Sequence, residues 1–265
     1  MTVKQSSMLR KLSNQRSSLA EGPCWSTRSN GLYWVDIPGK KLYFCRKDGP
    51  VSSWSFEQKI SAVVEAKNGG LILMLAKNII HFDVITGSMS TLFDIDLDIP
   101  SNRSNDAKCD PWGNLWVGTM DDQENKKLGR LHVFSVSGKH VVLLDNIGVS
   151  NTLAWNERRS IVYFADSMAG EIYQFSMKIS KDLPVLSKKE LFFNEPADSH
   201  QSPDGSAIDS EGFLWNAKWG GNKVVRYSPD GEVDFILDIP AINITSCCFG
   251  GPENKTLFIT TALDN

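Results

Sequence analysis

A polar residue recurs six times along the chain, each time ten or eleven positions before a short triplet that begins with Leu or Val. Successive triplets lie 39, 44, 47, 52 and 43 residues apart, roughly the length of one four-stranded propeller blade. A constant offset places each polar residue at the same point of its repeat, and a radial array brings such points around one axis. The polar residues are Glu21, Ser61, Asn105, Asn151, Asp204 and Ser246, and the triplets begin at Leu32, Leu71, Leu115, Val162, Leu214 and Leu257.

The segments around these positions are typical of β-strands and turns, and the helical pattern is nearly absent. Gly31–Asp36 and residues 41–44, for example, are rich in aromatic and apolar residues and are separated by the turn Ile37-Pro-Gly-Lys40. No linker-like segment divides the chain. We therefore predict an all-β propeller that forms a single domain over residues 1–265, with the polar positions at one mouth of its central channel.

Composition excludes several classes of partner. The formal net charge is −3 and the sequence pI is about 5.8, so a nucleic-acid or membrane partner is not expected. No apolar stretch approaches the roughly 20 residues that span a bilayer. The five cysteines are odd in number and contain no CxxC pair, which indicates reduced thiols in a cytoplasmic protein rather than a disulfide framework or a zinc site.

The chemistry of the repeated polar residues suggests a metal site. Glu21 and Asp204 supply two formal negative charges, while Asn105 and Asn151 add neutral carbonyl oxygens, and hard oxygen ligands of this kind suit a divalent cation. Two carboxylates brought together without a cation would repel each other until one was protonated. The alternative reading, in which polar residues merely begin strands in turns, stays open on the sequence alone.

Several motifs, in order over nearly the whole chain, resemble the senescence-marker-protein/gluconolactonase/luciferin-regenerating-enzyme family, the regucalcin-like sugar lactonases. The resemblance implies a six-bladed β-propeller. It also implies one divalent cation (Ca, Zn, Mn or Mg) at the channel mouth and a small sugar lactone as the partner, and we expect a monomer or a weak homodimer. The motifs are Leu19-Ala-Glu-Gly-Pro-Cys-Trp25, Arg103-Ser-Asn-Asp106, Gly118-Thr-Met120, Ser150-Asn-Thr-Leu-Ala-Trp155, Ser202-Pro-Asp-Gly205, Lys218-Trp-Gly-Gly221 and Thr245-Ser-Cys-Cys-Phe-Gly-Gly251.

Roles follow from the resemblance residue by residue. It implies that Glu21, Asn151 and Asp204 bind the metal and that Asp204 is also the general base. It implies substrate contacts from Arg103 and Asn105.

A further acidic substrate contact is implied just after the Gly-Thr-Met motif. Asp121 is the residue assigned to it, with Asp122 as the alternative because the register of this loop is open.

The function implied is divalent-metal-dependent hydrolysis of an aldonolactone to the aldonic acid. A hard cation polarises the carbonyl of a cyclic ester, and a carboxylate beside it can accept the proton of the attacking water. The alternatives are a calcium-binding regulatory protein or a propeller interaction scaffold with weak or no hydrolysis. Arg103 favours catalysis, because metal binding alone does not require it.

Two departures from the family pattern bear on these expectations. Thr152 follows Asn151 where the family usually has Gly, a change expected to alter packing near the site. The sequence ends shortly after the strand predicted over residues 256–261, whereas family members continue. We therefore expect an incomplete last blade, while every implied site residue precedes this point.

Overall fold

Each sheet of the protein is an antiparallel meander whose strands follow one another in chain order. A computed structural model describes residues 9–47, 49–196 and 198–264, so residues 1–8, 48, 197 and 265 of the predicted domain lie outside the described part. Within the described ranges the helices are two single 3₁₀ turns, Glu157–Arg159 and Pro252–Asn254. No helix in these ranges is long and apolar enough to cross a membrane.

The described residues form six sheets, of which five contain four strands and form blades. Blade 1 consists of β1 (Ala20–Ser26), β2 (Gly31–Asp36), β3 (Lys41–Arg46) and β4 (Val51–Ser55). Blade 2 consists of β5 (Ile60–Glu65), β6 (Leu71–Leu75), β7 (Asn78–Phe82) and β8 (Met89–Asp94). Blade 3 consists of β9 (Asn102–Cys109), β10 (Leu115–Asp121), β11 (Gly129–Phe134) and β12 (His140–Ile147). Blade 4 consists of β13 (Ser150–Asn156), β14 (Ile161–Asp166), β15 (Glu171–Ser180) and β16 (Leu183–Asn194). Blade 5 consists of β17 (Ser202–Ile208), β18 (Leu214–Trp219), β19 (Lys223–Tyr227) and β20 (Val233–Asp238).

The prediction of six blades was wrong. The described structure is a five-bladed arrangement, and the sixth repeat forms a two-stranded sheet of β21 (Asn243–Gly250) and β22 (Thr256–Ala262). The predicted number of blades was too high because the sequence repeat covers only part of a blade. Each polar residue with its triplet marks the first two strands of a unit, so the pattern counts hairpins, whereas a blade also requires two outer strands.

The first strands of successive sheets contact one another, so they line the axis of the ring: β1 lies beside β5, β5 beside β9, β9 beside β13, β13 beside β17, β17 beside β21 and β21 beside β1. The two-stranded sheet thus packs between blade 5 and blade 1. Thr245 on β21 donates a 2.6 Å hydrogen bond to the carbonyl oxygen of Ala20, which ties this sheet to the first blade.

The core consists of apolar clusters between neighbouring sheets. Blades 3 and 4, for example, meet through the fully buried Trp116 and through Trp155, whose rings pack edge to face with centroids 5.5 Å apart. Similar clusters lie between blades 4 and 5 and on both sides of the two-stranded sheet. Removing this apolar surface from water stabilises the ring, at roughly 25 cal/mol per Å² buried.

Every axial strand carries a register shift close to its polar position. The shifts lie between Glu21 and Cys24, Ile60 and Ala62, Ser104 and Ala107, Asn151 and Ala154, Pro203 and Ser206, and Ile244 and Ser246. A β-bulge interrupts ladder pairing and re-aims the side chains beside it. The repeated polar residues therefore lie where the strands bend, at one end of the ring.

Candidate metal and substrate site

A cavity of about 280 Å³ opens at the end of the ring where the axial strands begin. Four of the six repeated polar residues line it, one from each of β1, β9, β13 and β17, and the side chain of Arg103 completes the group. The four are Glu21, Asn105, Asn151 and Asp204. The structure thus brings together five of the six residues predicted for the site, while their roles stay predictions.

The two remaining repeat positions do not line this cavity. The hydroxyl of Ser61 lies 2.7 Å from that of Ser104, and both serines are buried. The hydroxyl of Ser246 is buried, with no hydrogen-bond partner among the described residues. A Cβ added at Gly205 would lie 2.0 Å from that oxygen, so the short side chain of Ser246 and the glycine allow β17 and β21 to approach closely.

A chain of hydrogen bonds joins the amides of the site. Nη1 of Arg103 donates to Oδ1 of Asn105 at 2.8 Å, and Nδ2 of Asn105 donates to Oδ1 of Asn151 at 3.2 Å. Nδ2 of Asn151 in turn donates to the hydroxyl of Ser167 at 2.8 Å, and Ser167 donates to the carbonyl oxygen of Pro203. Nδ2 of Asn105 also donates to the carbonyl oxygen of Ser150 at 3.0 Å, so both of its N–H groups are used. Each amide oxygen accepts one hydrogen bond in this chain and keeps a second lone pair for a ligand.

The two carboxylates lie in surroundings that disfavour their charge. Burial raises the pKa of Glu21 to about 8, and the negative charge of Asp106 adds to the shift, while the positive charges of Lys108 and Arg103 oppose it. Burial also raises the pKa of Asp204 well above its usual value, and the charges of Glu21 and Asp106 raise it further. Burial is thus the largest cause of both pKa shifts, and repulsion between neighbouring carboxylates is the second.

The donor set fits a hard divalent cation. Two carboxylates and two amide oxygens share the cavity wall, and Oδ2 of Asp106 nearby is buried without a hydrogen-bond partner among the described residues. A dication would offset the repulsion that raises the pKa of Glu21 and Asp204. In the described ranges no group of three or more His, Cys, Asp and Glu side chains could hold a metal, so such a site depends on the amides.

Arg103 is buried and its donors are largely committed. Nε donates to Oδ1 of Asp122 at 2.8 Å, and Nη1 donates to the carbonyl oxygen of Ser104 at 3.0 Å in addition to Asn105. Nη2 lies 4.0 Å from a carboxylate oxygen of Glu124, which also lines the cavity. Nη2 is therefore the part of the guanidinium best able to contact a ligand.

Asp121 and Asp122 occupy different environments. Asp121 ends β10, is buried and is not among the residues that line the cavity; its carboxylate accepts a 3.3 Å hydrogen bond from the backbone of Asn125. Asp122 instead bridges Arg103 and the ammonium of Lys59. Of the two, Asp122 is the one connected to the site, through Arg103.

Sequence reasoning missed Asp106, Glu124 and Ser167 as site neighbours. Asp106 directly follows Asn105, and in a regular strand it would face the opposite way. The bulge in β9 changes this alternation, and no local sequence signal marks the bulge. Ser167 and Glu124 lie in turns after β14 and β10, so only the tertiary arrangement brings them to the cavity.

Two exposed apolar side chains form part of the cavity wall. Trp219 at the end of β18 and Met168 in the turn after β14 are each 38% exposed. The cavity therefore offers both polar groups and apolar surface to a ligand, as small-molecule sites commonly do.

The sequence model described as the SMP-30/Gluconolactonase/LRE-like region matches residues 19–263. The chain belongs to this family. Among the family's characterised relatives, it is 32% identical to regucalcin of Xenopus laevis, over 93% of this chain and 84% of that protein. It is 30% identical to a 6-deoxy-6-sulfogluconolactonase of Pseudomonas putida, over 95% of this chain and 86% of that enzyme.

A solved structure agrees with the family assignment. The chain matches the regucalcin of Agrobacterium tumefaciens, a calcium-binding protein, with a TM-score of 0.90 and 26% sequence identity, over 96% of this chain and 85% of that one. Hydrolysis of sugar lactones is thus an activity found in this family, and calcium binding is found in another of its members.

Proposed function

We propose that this protein hydrolyses a sugar lactone to the corresponding aldonic acid and that the reaction depends on a divalent cation. The observation that carries the proposal is the convergence, in one cavity, of two carboxylates with raised pKa values, two amide side chains and an arginine. Membership of a family that includes named sugar lactonases supports the same reaction class.

Glu21, Asn151 and Asp204 would hold the cation. When bound, a hard dication draws electron density from the lactone carbonyl and stabilises the negative charge that develops on its oxygen. Asn151 suits this role because its amide nitrogen is held by Ser167, which leaves its oxygen directed to other partners. Its amide oxygen donates electrons without cancelling positive charge.

Asp204 is the proposed general base. As the water oxygen bonds to the carbonyl carbon, the carboxylate of Asp204 accepts one water proton. The bond between the carbonyl carbon and the ring oxygen then breaks, and the proton passes to that oxygen, which becomes the new hydroxyl of the aldonic acid. Asp204 is buried and lines the cavity, so its carboxylate can be within reach of a water molecule that attacks a bound lactone.

Arg103 and Asn105 are the proposed substrate contacts. Nη2 of Arg103 can donate to a sugar hydroxyl, and the remaining lone pair on Oδ1 of Asn105 can accept one. The hydrogen bond between Arg103 and Asn105 holds both side chains in one orientation. Asp122 contributes by orienting Arg103.

The test is hydrolysis of a panel of aldonolactones, followed as acid release, with Ca²⁺, Zn²⁺, Mn²⁺ or Mg²⁺ added to metal-free protein. Asp204→Asn and Asp204→Ala should abolish turnover, whereas Asp230→Asn, at an exposed turn, should leave it unchanged. A folded Asp204→Ala variant that opens lactones at the rate of the unmodified protein would overturn the assignment.

A second candidate is a calcium-binding protein with little or no hydrolysis. One observation favours this candidate. Arg103 donates hydrogen bonds to Asp122, Asn105 and the Ser104 backbone, so a structural role can account for this arginine without a substrate. The same panel separates the two functions. Tight Ca²⁺ binding by a protein that opens no lactone with any of the four cations would favour the second.

A further inference from the structure

Thr152, next to Asn151 on β13, has a backbone conformation that is rare for its residue type. Its φ is +56°, in the left-handed region, where β-branched side chains are genuine outliers. The matching position on β1, directly after Glu21, is Gly22 with φ +53°. The two strands thus bend in the same way after the site residue, but β13 makes the bend with a strained threonine.

The side chain of Thr152 contacts the backbone of the proposed base. Its hydroxyl donates a 2.5 Å hydrogen bond to the carbonyl oxygen of Asp204, on the neighbouring axial strand. Nδ2 of Asn216 donates to the same carbonyl at 3.1 Å and to the Thr152 hydroxyl at 3.1 Å. Thr152 and Asn216 are fully buried.

The bulge in β17 explains why this carbonyl needs side-chain partners. The pairing of β17 with β18 skips from Pro203 to Ser206, so Asp204 and Gly205 have no paired residue opposite them on β18. A buried carbonyl outside the ladder requires another donor. Asn216 supplies one donor from β18, within the same blade, and Thr152 supplies a second donor from blade 4.

We propose that Thr152 is a positioning residue that sets the separation of Asn151 and Asp204. Its backbone is bonded directly to Asn151, and its hydroxyl holds the peptide of Asp204, so a single residue connects two proposed cation ligands from different blades. The inference rests on the proposed metal site. It adds that Thr152 fixes the position of Asp204 on blade 5 relative to Asn151 on blade 4. Partners that orient ligands in this way commonly alter metal affinity by about 10–100-fold when they are removed.

Three substitutions separate the hydroxyl from the strain. Thr152→Val keeps the branched shape and removes the hydroxyl, Thr152→Gly removes both the hydroxyl and the strain, and Thr152→Ser keeps the hydroxyl. Ser160→Gly is the matched control, because Ser160 also has a left-handed φ of +53° in blade 4 but lies exposed beside a 3₁₀ turn.

The affinity of each metal-free variant for Ca²⁺ and for Mn²⁺ is measured by titration calorimetry, and its stability without metal by urea unfolding. We expect Thr152→Val and Thr152→Gly to bind about 10–100-fold more weakly, and Thr152→Ser to stay within about threefold of the unmodified protein. Ser160→Gly should bind normally. Thr152→Gly should unfold at a urea concentration no lower than that for Thr152→Val, since it relieves the left-handed strain.

Two results would overturn the inference while leaving the proposed site intact: unchanged affinity in both Thr152→Val and Thr152→Gly, or affinity lost equally in Thr152→Ser and Thr152→Val. An unmodified protein that binds none of the tested cations would instead overturn the metal site itself, and the inference with it. Since Thr152→Gly has no side chain to misfit, it keeps the test decisive if Thr152→Val does not fold.

Discussion

The side-chain amide of Asn105 donates a 3.2 Å hydrogen bond to Oδ1 of Asn151, across the boundary between blades 3 and 4. The oxygen of Asn105 itself accepts a hydrogen bond from Nη1 of Arg103. In this pair Asn105 is the donor and Asn151 the acceptor. The hydrogen bond orients the Asn151 side chain, whose oxygen keeps one lone pair for a ligand in the cavity.

Substitution of Asn105 should therefore weaken cation binding even though Asn105 is not a proposed ligand. We expect Asn105→Ala to reduce affinity about 10–100-fold, because Asn151 loses the donor that orients it. Calorimetric titration of metal-free protein measures this. Asn125→Ala, at an exposed turn, is the control, and equal affinities for the two variants would contradict the pairing.

Asp122 should affect substrate affinity through Arg103. Asp122→Asn removes the negative charge that faces Nε of Arg103 and leaves at most a neutral hydrogen bond in its place, whereas hydrogen bonds to charged groups are worth about 1.5–3 kcal/mol. We expect KM for the best lactone to rise about tenfold or more, with a smaller change in kcat. Asp234→Asn, which removes a similar partner from Arg226 far from the cavity, should leave KM unchanged.

Trp219 should contribute contact area to the ligand. We expect Trp219→Ala to raise KM about 2–10-fold, in keeping with the 0.5–1.5 kcal/mol typical of specific aromatic contacts. Its fluorescence should also change on lactone binding. Trp112→Ala is a matched control because Trp112 is similarly exposed, at 48%, but does not line the cavity. If both variants gave the same kinetics as the unmodified protein, Trp219 would have no part in binding.

Asp96 should govern part of the stability in acid. Burial would raise the pKa of Asp96, but hydrogen bonds from His132, Thr119 and Asn102 outweigh it and hold the pKa below the usual 3.8. As the pH falls below about 4, the unfolded chain takes up a proton that the folded chain does not, so the free energy of unfolding decreases.

Asp96→Asn should thus cost about 3 kcal/mol near neutral pH and flatten the loss of stability below about pH 4. Urea unfolding at about pH 7, 4 and 3 tests both effects. Asp98→Asn is the control because Asp98 shares Arg130 but is mostly exposed, and it should change stability far less. Parallel pH curves for Asp96→Asn and the unmodified protein would contradict the prediction.

Periodicity determined where the site residues lie, because a constant offset within each repeat places them at the same level of the axial strands. Glu21, Asn105, Asn151 and Asp204 could therefore be grouped from the sequence alone, and the structure places them in one cavity. The oxygen-donor chemistry of these side chains, on which the proposed divalent cation rests, also followed from residue type.

Only the tertiary structure decided the rest. The pattern of hairpins predicted six blades because it carries no information on outer strands, and the structure shows that the last two strands, Asn243–Gly250 and Thr256–Ala262, form a two-stranded sheet of their own. The register at the end of β10 placed Asp122, not Asp121, beside Arg103. The left-handed turn that brings the Thr152 hydroxyl to the carbonyl of Asp204 depends on two bulged strands meeting at the axis. That hydrogen bond joins residues 52 positions apart, and no local preference of the chain specifies it.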